Sequence, residues 1–319
     1  MKTIYWDDDY TGFCPTVATI GYFDGVHRGH RHLIDKVREI AKNKPYSQSA
    51  VLTFDNHPRM VVDNNFTPQL LTSNTEKRIL LSKTGINNCV VLHFDKKMAE
   101  MTAFQFMKEV LHDRYNVKNL VIGYDHRFGH NRAETFDDYK RYGKEIGIDV
   151  IKSDEFIVKG MNISSSAIRS MIADGEVKQA ETALGYRYFI EGKVVGGYRE
   201  GRKIGFPTAN IDVENSMKLI PKHGVYAVNV SLNGVKKQMK GMMNIGNRPT
   251  YGKYQTTLEV NIFDFSDDIY GHTINVEFVS RLRDEHKFNN INDLIARLSL
   301  DKKMAVDILS KKDTLNFNI

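Results

Sequence analysis

Two histidines three residues apart, His27 and His30, stand in the segment GYFDGVHRGH (21–30). An apolar run, TVATIG (16–21), comes just before it, and a stripe of Leu33, Ile34, Val37 and Ala41 follows. The run reads as a buried strand, and the stripe reads as one face of an amphipathic helix. A strand-to-helix turn through Gly25 and Gly29 aims backbone N–H groups and a helix N-terminus at an anion. Imidazoles at that same end can donate hydrogen bonds to phosphate oxygens and to a developing five-coordinate phosphorus. The alternatives are two surface histidines or a metal pair at i, i+3, although no cysteine or carboxylate cluster accompanies them.

A second segment, NISSSAIRSMI (162–172), offers Ser164, Ser165 and Ser166 as N-cap residues, with Arg169 in the first turns of the helix they would start. Hydroxyls, amides and a guanidinium at one helix end can grip β- and γ-phosphates. Alone, the segment reads as an ordinary capped helix; beside the histidine segment, the phosphate-binding reading gains weight. A third segment, GGYREGRKIGFPTAN (196–210), is glycine-rich, but no GKS or GKT makes it a Walker A loop. By itself it reads as a turn-rich β-hairpin. Thr208 and Asn210 alternate on one face, offering a hydroxyl and an amide oxygen to a hard cation such as Mg²⁺. Gly201 and Gly205 would let backbone approach phosphates closely.

These segments need elements to hold them. The first half alternates strand candidates, SAVLTF (49–54), CVVLHF (89–94), NLVIG (119–123) and IDVIK (148–152), with helical patterns at 103–115 and 136–146. That alternation predicts βαβ units and a parallel, doubly wound sheet, with ligands beyond the carboxyl ends of the strands. Near Gly185 the period changes to two, in VYAVNVSL (225–232), TLEVNIFDF (257–265) and TINVEFVSRL (273–282), and Asn233-Gly234 is a two-residue hairpin signal. The second half is therefore expected to be an antiparallel barrel or sandwich, with helical periodicity returning from Asn290.

At 319 residues the chain has length for two domains at about one per 150 residues. Hydrophobic content of 41% and a mean hydropathy of −0.42 suit a globular protein in water. No run reaches the roughly 18 apolar residues of a membrane helix, and the N-terminus has no signal-peptide core. Cys14 and Cys89, the only cysteines, are too few for a disulfide framework. Together these favour the cytoplasm. The net charge of +6 is scattered, which fits anionic small substrates and leaves RNA binding as the rival reading.

The histidine segment with the later ISSSAIR is similar to the nucleotidyltransferase superfamily. The fuller set resembles the bacterial bifunctional riboflavin kinase/FMN adenylyltransferase (FAD synthetase) family. It comprises FDGVHRGH (23–30), TFDNHP (53–58), GYDHRFG (123–129) and ISSSAIR (163–169) in the first half. In the second half GRKIGFPTAN (201–210) resembles the flavokinase signature, with Ile204 where the family has Leu. GVYAV (224–228), NIGNRPTY (244–251), LEVNIFDF (258–265), DIYG (268–271) and RLRDEHKF (281–288) follow in the family's order. The departures are Asn56 in place of Pro, Ser166 in place of Thr, His126 in place of Phe, and Asn261 where a His is common. A different nucleotidyltransferase or an aminoacyl-transfer relative is the alternative, but no KMSKS-like loop is present and the second half does not suit it.

The resemblance implies an α/β Rossmann-like nucleotidyltransferase domain over 1–184 and a flavokinase-like antiparallel β-barrel with trailing helices over 185–319. It implies that the second domain phosphorylates riboflavin with Mg·ATP to give FMN, and that the first adenylylates FMN with a second ATP to give FAD and pyrophosphate. Expected partners are these small molecules, with neither nucleic acid nor membrane. In the first domain Gly21, Phe23, Asp24, Gly25, His27, His30, Ser164, Ser165 and Arg169 would bind ATP, with His27, His30 and Arg169 steadying the transition state. Phe54, His57, Pro58 and Asp125 would meet the flavin. In the second domain Glu259 would be the catalytic base, Thr208 and Asn210 would hold Mg²⁺, Gly201 and Gly205 would lie at ATP, and Arg283 and Glu285 at the flavin.

Overall fold

A computed structural model describes residues 1–8, 13–45, 47–130, 132–158, 160–197, 200–232, 237–250 and 253–311, without the side chains of residues 161, 248–250 and 253–255. It divides into two compact units, Met1–Ser165 and Ser166–Asn318.

The first unit contains β1 (Lys2–Tyr5), β2 (Thr16–Ile20), α1 (Arg28–Lys42), β3 (Gln48–Phe54), α2 (Pro58–Val62), α3 (Asn74–Ser82), β4 (Asn88–Leu92), α4 (Lys96–Glu100) and α5 (Ala103–Gln105). It continues with a π-helical stretch (Phe106–Arg114), β5 (Val117–Ile122), α6 (Phe136–Ile146), β6 (Asp149–Lys152), and the short pair β7 (Ile157–Val158) and β8 (Met161–Asn162). Six strands form one parallel sheet in the order β1-β4-β3-β2-β5-β6. β2 and β4 are buried at every residue, as apolar runs must be in a parallel sheet covered on both faces. Ala18, Ile20, Leu52, Val90 and Leu120 join Met107, Val110, Leu111 and Tyr139 in one core, while α1 buries Leu33, Ile34, Val37 and Ala41 against the strands. The predicted parallel, doubly wound sheet is therefore present. β1 is an added edge strand that period and composition gave no reason to expect. The helix predicted over 103–115 is α5 running into π-helical turns.

The order of strands reverses between β2 and β5, because β3, β4 and β1 extend to one side and β6 to the other. The crevice beyond the carboxyl ends at such a switch point is where open α/β sheets bind ligands. Residues 21–30 leave β2 into it, and residues 123–129 leave β5.

The second unit holds α7 (Ser165–Ala173) almost entirely, α8 (Val177–Leu184), β9 (Phe189–Val195), α9 (Glu200–Lys203), β10 (Ala209–Asp212), β11 (Gly224–Leu232), β12 (Met239–Thr250), β13 (Lys253–Ile262), β14 (Thr273–Arg283) and α10 (Ile291–Ser310). The six strands close into an antiparallel barrel in the order β10-β13-β12-β11-β14-β9. Of barrel and sandwich, the structure has the barrel. Register shifts in the β11–β14 ladder, between Val225 and Tyr226 and between Ala227 and Val228, supply the local twist that closure needs. Asn233-Gly234 lies outside the described residues, although β11 and β12 on either side of it pair antiparallel from Val230 and Met239.

The units meet in sequence before the change of period at Gly185, because α7 and α8 pack on the barrel. Lys222 donates its N–H to Ile172 O at 3.3 Å, and Gly175 sits so close to Arg281 that a Cβ there would be 2.6 Å from its Cδ. One helix, α10, ends the described chain, covering Ala227 and Met242 with Ala305, Leu298, Ile308 and Leu309. Its Asp301 is fully buried and held by Arg283 Nε at 2.9 and 3.1 Å and by Arg297 Nε at 3.1 Å.

Gly143 in α6 makes a packing prediction. A Cβ there would stand 2.3 Å from Ile148 O and 2.7 Å from Val150 Cγ2. Alanine would gain about 1 kcal/mol of helix propensity, but the collision is with backbone and costs more. Gly143→Ala should therefore destabilise the first unit by about 1–3 kcal/mol. Urea titration followed by the fluorescence of Trp6, the sole tryptophan, reads this unit, and an unchanged midpoint would show that the helix shifts freely.

Candidate active sites

Residues 21–30 form an unusual turn at the end of β2. Phe23, Gly25 and Val26 have φ of 55°, 79° and 37°, and a positive φ at β-branched Val26 is strained unless the surroundings impose it. They do. The Asp24 carboxylate, 2% exposed, accepts N–H bonds from Leu71 and Thr72, both at 3.0 Å, and the Thr72 hydroxyl at 3.2 Å. Thr72 Oγ1 in turn accepts from Gly25 N at 3.0 Å. Asp24 thus shapes the turn with its side chain, and its backbone oxygen takes the Ser165 hydroxyl at 3.0 Å.

His27 caps α1: its Nδ1 accepts from His30 N at 3.3 Å. That bond places the proton of neutral His27 on Nε2. The two imidazoles stack with centroids 3.6 Å apart, and Phe23 meets His30 edge-on at 5.0 Å. Burial drives the His30 pKa well below the usual imidazole value, and the neighbouring His27, His126 and Lys77 add to it. His30 is therefore neutral at pH 7. Its Nδ1 and the Nε2 of His126 are buried without hydrogen-bond partners.

The residues expected at the flavin are divided. Phe54, at the end of β3, is 8% exposed and packs edge-on to Phe94 at 5.2 Å. His57 caps α2, whose first residue is Pro58, and its ring lies 4.7 Å from Tyr22 and 5.2 Å from Phe66. Arg59 stacks on Phe66 at 4.2 Å. Asp125 is exposed in the turn after β5. Ser164 precedes α7 in the first unit, and Arg169 lies on α7 in the second. Sequence reasoning missed Tyr22, Phe66 and Lys77. Lys77 is 2% exposed beneath the turn, where a lysine in an amphipathic helix would ordinarily be read as solvated.

In the barrel, Asn210 pairs across to Glu259, and the Thr208 hydroxyl lies 3.4 Å from Glu259 Oε2. Two cavities share Thr208. One, of about 400 Å³, is lined by Gly201, Phe206, Glu259, Asn261, Arg283 and Glu285, with Leu294 and Leu298 of α10 as an apolar wall. The other, of about 540 Å³, is lined by Arg202, Thr208, Val260, Asp267, Asp268 and Tyr270. Two glycines make room for the polar groups. A Cβ at Gly197 would be 2.1 Å from Asn210 Nδ2, and one at Gly246 would be 2.1 Å from Glu285 Oε1. Asn261 donates Nδ2 to Pro207 O at 2.6 Å, fixing the loop segment before Thr208. Arg283 lines the first cavity, but its guanidinium is taken up by Asp301. Gly205 has a φ of 83°, a left-handed position that favours glycine. Among the described residues no group of three or more His, Cys, Asp or Glu could hold a metal, and no helix is long and apolar enough to cross a membrane.

Comparison with known proteins agrees with both halves. The FAD synthetase family model matches residues 12–167 and the riboflavin kinase model matches residues 184–309. The chain is 36% identical over 289 residues to the bifunctional riboflavin kinase/FMN adenylyltransferase of Escherichia coli, covering 91% of each chain. It is 35% identical to the Bacillus subtilis enzyme of that name over 92% of this chain and 93% of that one. A solved Streptococcus pneumoniae structure described as a macrolide-efflux protein has the same fold, with a TM-score of 0.87 and 31% identity over 95% of this chain and 98% of that one. Fold and sites define a two-domain, ATP-using transferase. The chain belongs to the bifunctional riboflavin kinase/FMN adenylyltransferase family. It phosphorylates riboflavin to FMN through its C-terminal domain and adenylylates FMN to FAD through its N-terminal domain.

Burial drives the His126 pKa down to about 4, with Arg132 adding to the effect. The folded value is below the unfolded one, so stability is full above about pH 6.5 and is lost as pH falls toward 4. At pH 5 the stability lost is about 1–2 kcal/mol. In His126→Phe the Trp6-reported urea midpoint should fall less between pH 7 and 5 than in the parent. An identical fall would mean that His126 protonates freely in the fold.

Proposed function

We propose that the two phosphorus transfers are carried by the residues around Thr208 and Glu259 in the barrel and around His27 and His30 at the switch point. The supporting observation for the kinase is that Thr208 lies in both barrel cavities with Glu259 at hydrogen-bond distance from it. In this reading the flavin occupies the cavity walled by α10. Its ribityl 5′-hydroxyl meets Glu259, and the γ-phosphate comes from the other cavity past Thr208. An alcohol is a weak nucleophile, so Glu259 orients it and accepts its proton as the new P–O bond forms and the bond from the γ-phosphorus to its bridging oxygen breaks, releasing ADP. Leu294 and Leu298 suit an isoalloxazine ring, and Glu285, Asn244 and Asn261 give polar partners at the rim.

Mg²⁺ fits the oxygen donors present, since the Thr208 hydroxyl and the Asn210 amide are hard ligands and Gly197 leaves space beside Asn210. When bound, the ion would neutralise phosphate charge as the phosphoryl group transfers. Thr208 and Asn210 would hold it, and Glu259 would stay free of it to act on the alcohol.

In the first unit FMN arrives already anionic, so its attack on the α-phosphorus of ATP needs no base. His27 and neutral His30 would supply ring N–H donors, while backbone amides of the turn and the Ser164 and Ser165 region meet the triphosphate. The aromatic group of Tyr22, His57 and Phe66 with Phe54 and Pro58 would lie toward the flavin. The division of labour follows 1–184 and 185–319, and the work is done in the cytoplasm, where ATP is made.

Two substitutions separate the activities. Glu259→Gln should lower the turnover number for FMN formation by roughly 10²–10⁴-fold with little change in substrate binding, leaving FAD formation from supplied FMN intact. His27→Ala or His30→Ala should lower FAD formation by roughly 10²–10³-fold and spare FMN formation. Chromatography of flavins with each substrate supplied reads both. Near-normal FMN production by Glu259→Gln would leave the kinase without a base, and equal loss of both activities in a folded histidine variant would remove the histidines from the transfer step.

A further inference from the structure

We propose that Lys77 is a positioning residue of the adenylyl-transfer site, holding the strained turn of residues 21–26 in its phosphate-receiving shape. The proposal rests on the reading of that turn as the transfer site. Lys77 lies on α3, whose start is fixed by a capping box between Ser73 and Glu76. Its ammonium donates to Tyr22 O at 3.2 Å and to Phe54 O at 3.1 Å, and it lies 4.1 Å from the centre of the Tyr22 ring. Those carbonyls follow β2 and end β3, adjacent strands whose carboxyl ends open on the same crevice.

The chemistry explains why a charge is buried there. Carboxyl ends of parallel strands present carbonyl oxygens, and an incoming triphosphate brings more negative charge. An ammonium beneath the turn engages two of those oxygens and offsets the repulsion from inside the fold. It also fastens the turn at Tyr22, immediately before the three positive-φ residues, while Asp24 fastens it at the centre through Leu71 and Thr72. Both fasteners come from one stretch of chain, residues 71–77. Neither the capping box nor the amphipathic face of α3 requires a lysine at this position.

Burial lowers the Lys77 pKa to about 8. Asp24 opposes this most strongly, with Cys89 on β4 and Asp55 after β3 also opposing it and Arg78 adding to it. His30 feels the Lys77 charge in turn. Deprotonation removes the cation over Tyr22 and weakens both carbonyl bonds, so the transfer rate should fall as pH rises through about 8. Stability should move oppositely. The folded pKa is below the unfolded value, so the unit gains stability from pH 8 upward. A lysine with a purely structural role would not separate the two curves in this way.

The test uses the full chain, FMN and ATP from pH 7 to 9.5, with riboflavin phosphorylation as the internal control and Trp6 fluorescence in urea for folding. Lys77→Met should fold, lose roughly 10–100-fold in the turnover number for FAD with little change in KM for FMN, and keep its kinase rate. Lys77→Arg keeps the charge and should recover part of the rate without the decline near pH 8. A folded Lys77→Met at parental rate overturns the proposal. If Lys77→Met does not fold, the parent decides: a flat FAD profile from pH 7 to 9.5 overturns it as well. Failure of the site itself is read separately, because His30→Ala would then leave FAD formation intact.

Discussion

A charge taken out of water must be met by donors or acceptors within the fold, and both units are arranged around one carboxylate that obeys this constraint. In the first unit it is Asp24, at 2% exposure, met by the Leu71 and Thr72 amides. In the second it is Asp301, fully buried, met by Arg283 and Arg297. Neither belongs to the set of groups that would touch a reacting phosphorus. Each fixes the element on which such groups depend: the turn before α1 in one case, the helix that walls the barrel cavity in the other. Removing one partner of a buried ion pair costs about 3–5 kcal/mol, because the other charge is left stranded, so these links specify geometry as much as they stabilise it.

Phosphorus transfer asks little covalent chemistry of a protein and much positioning. The two units meet that demand differently. The turn after β2 stacks His27 on His30 at the crevice of the parallel sheet, and burial drives the His30 pKa well below the usual imidazole value. The barrel instead places an ionisable carboxylate, Glu259, on a strand beside Thr208 and Asn210. An already anionic FMN phosphate needs donors, whereas the riboflavin alcohol needs a base.

Glycines carry part of the design where side chains crowd together. Gly197 and Gly246 are in extended or loop backbone that any residue could adopt, yet a methyl group at either would overlap Asn210 or Glu285. Their constraint is space beside a polar group, whereas Gly25 and Gly205 answer a left-handed backbone. The same residue type thus has two physical explanations within one chain.

The sequence by itself determined the class of each unit, because burial imposes period on the chain: continuous apolar runs for strands covered on both faces, alternation for strands of a barrel. It also determined which polar segments leave those strands, since turn glycines and N-cap serines act locally. What only the tertiary structure decided depends on partners distant in sequence. Lys77 reads as a surface lysine until α3 folds under the turn of residues 21–26. Arg283, expected at the flavin, has its guanidinium engaged once α10 brings Asp301 to it. The choice of barrel over sandwich rests on β9 meeting both β10 and β14, a closure that no single strand's pattern encodes. Local periodicity reports how deeply a residue is buried, and only the assembled fold reports what it is buried against.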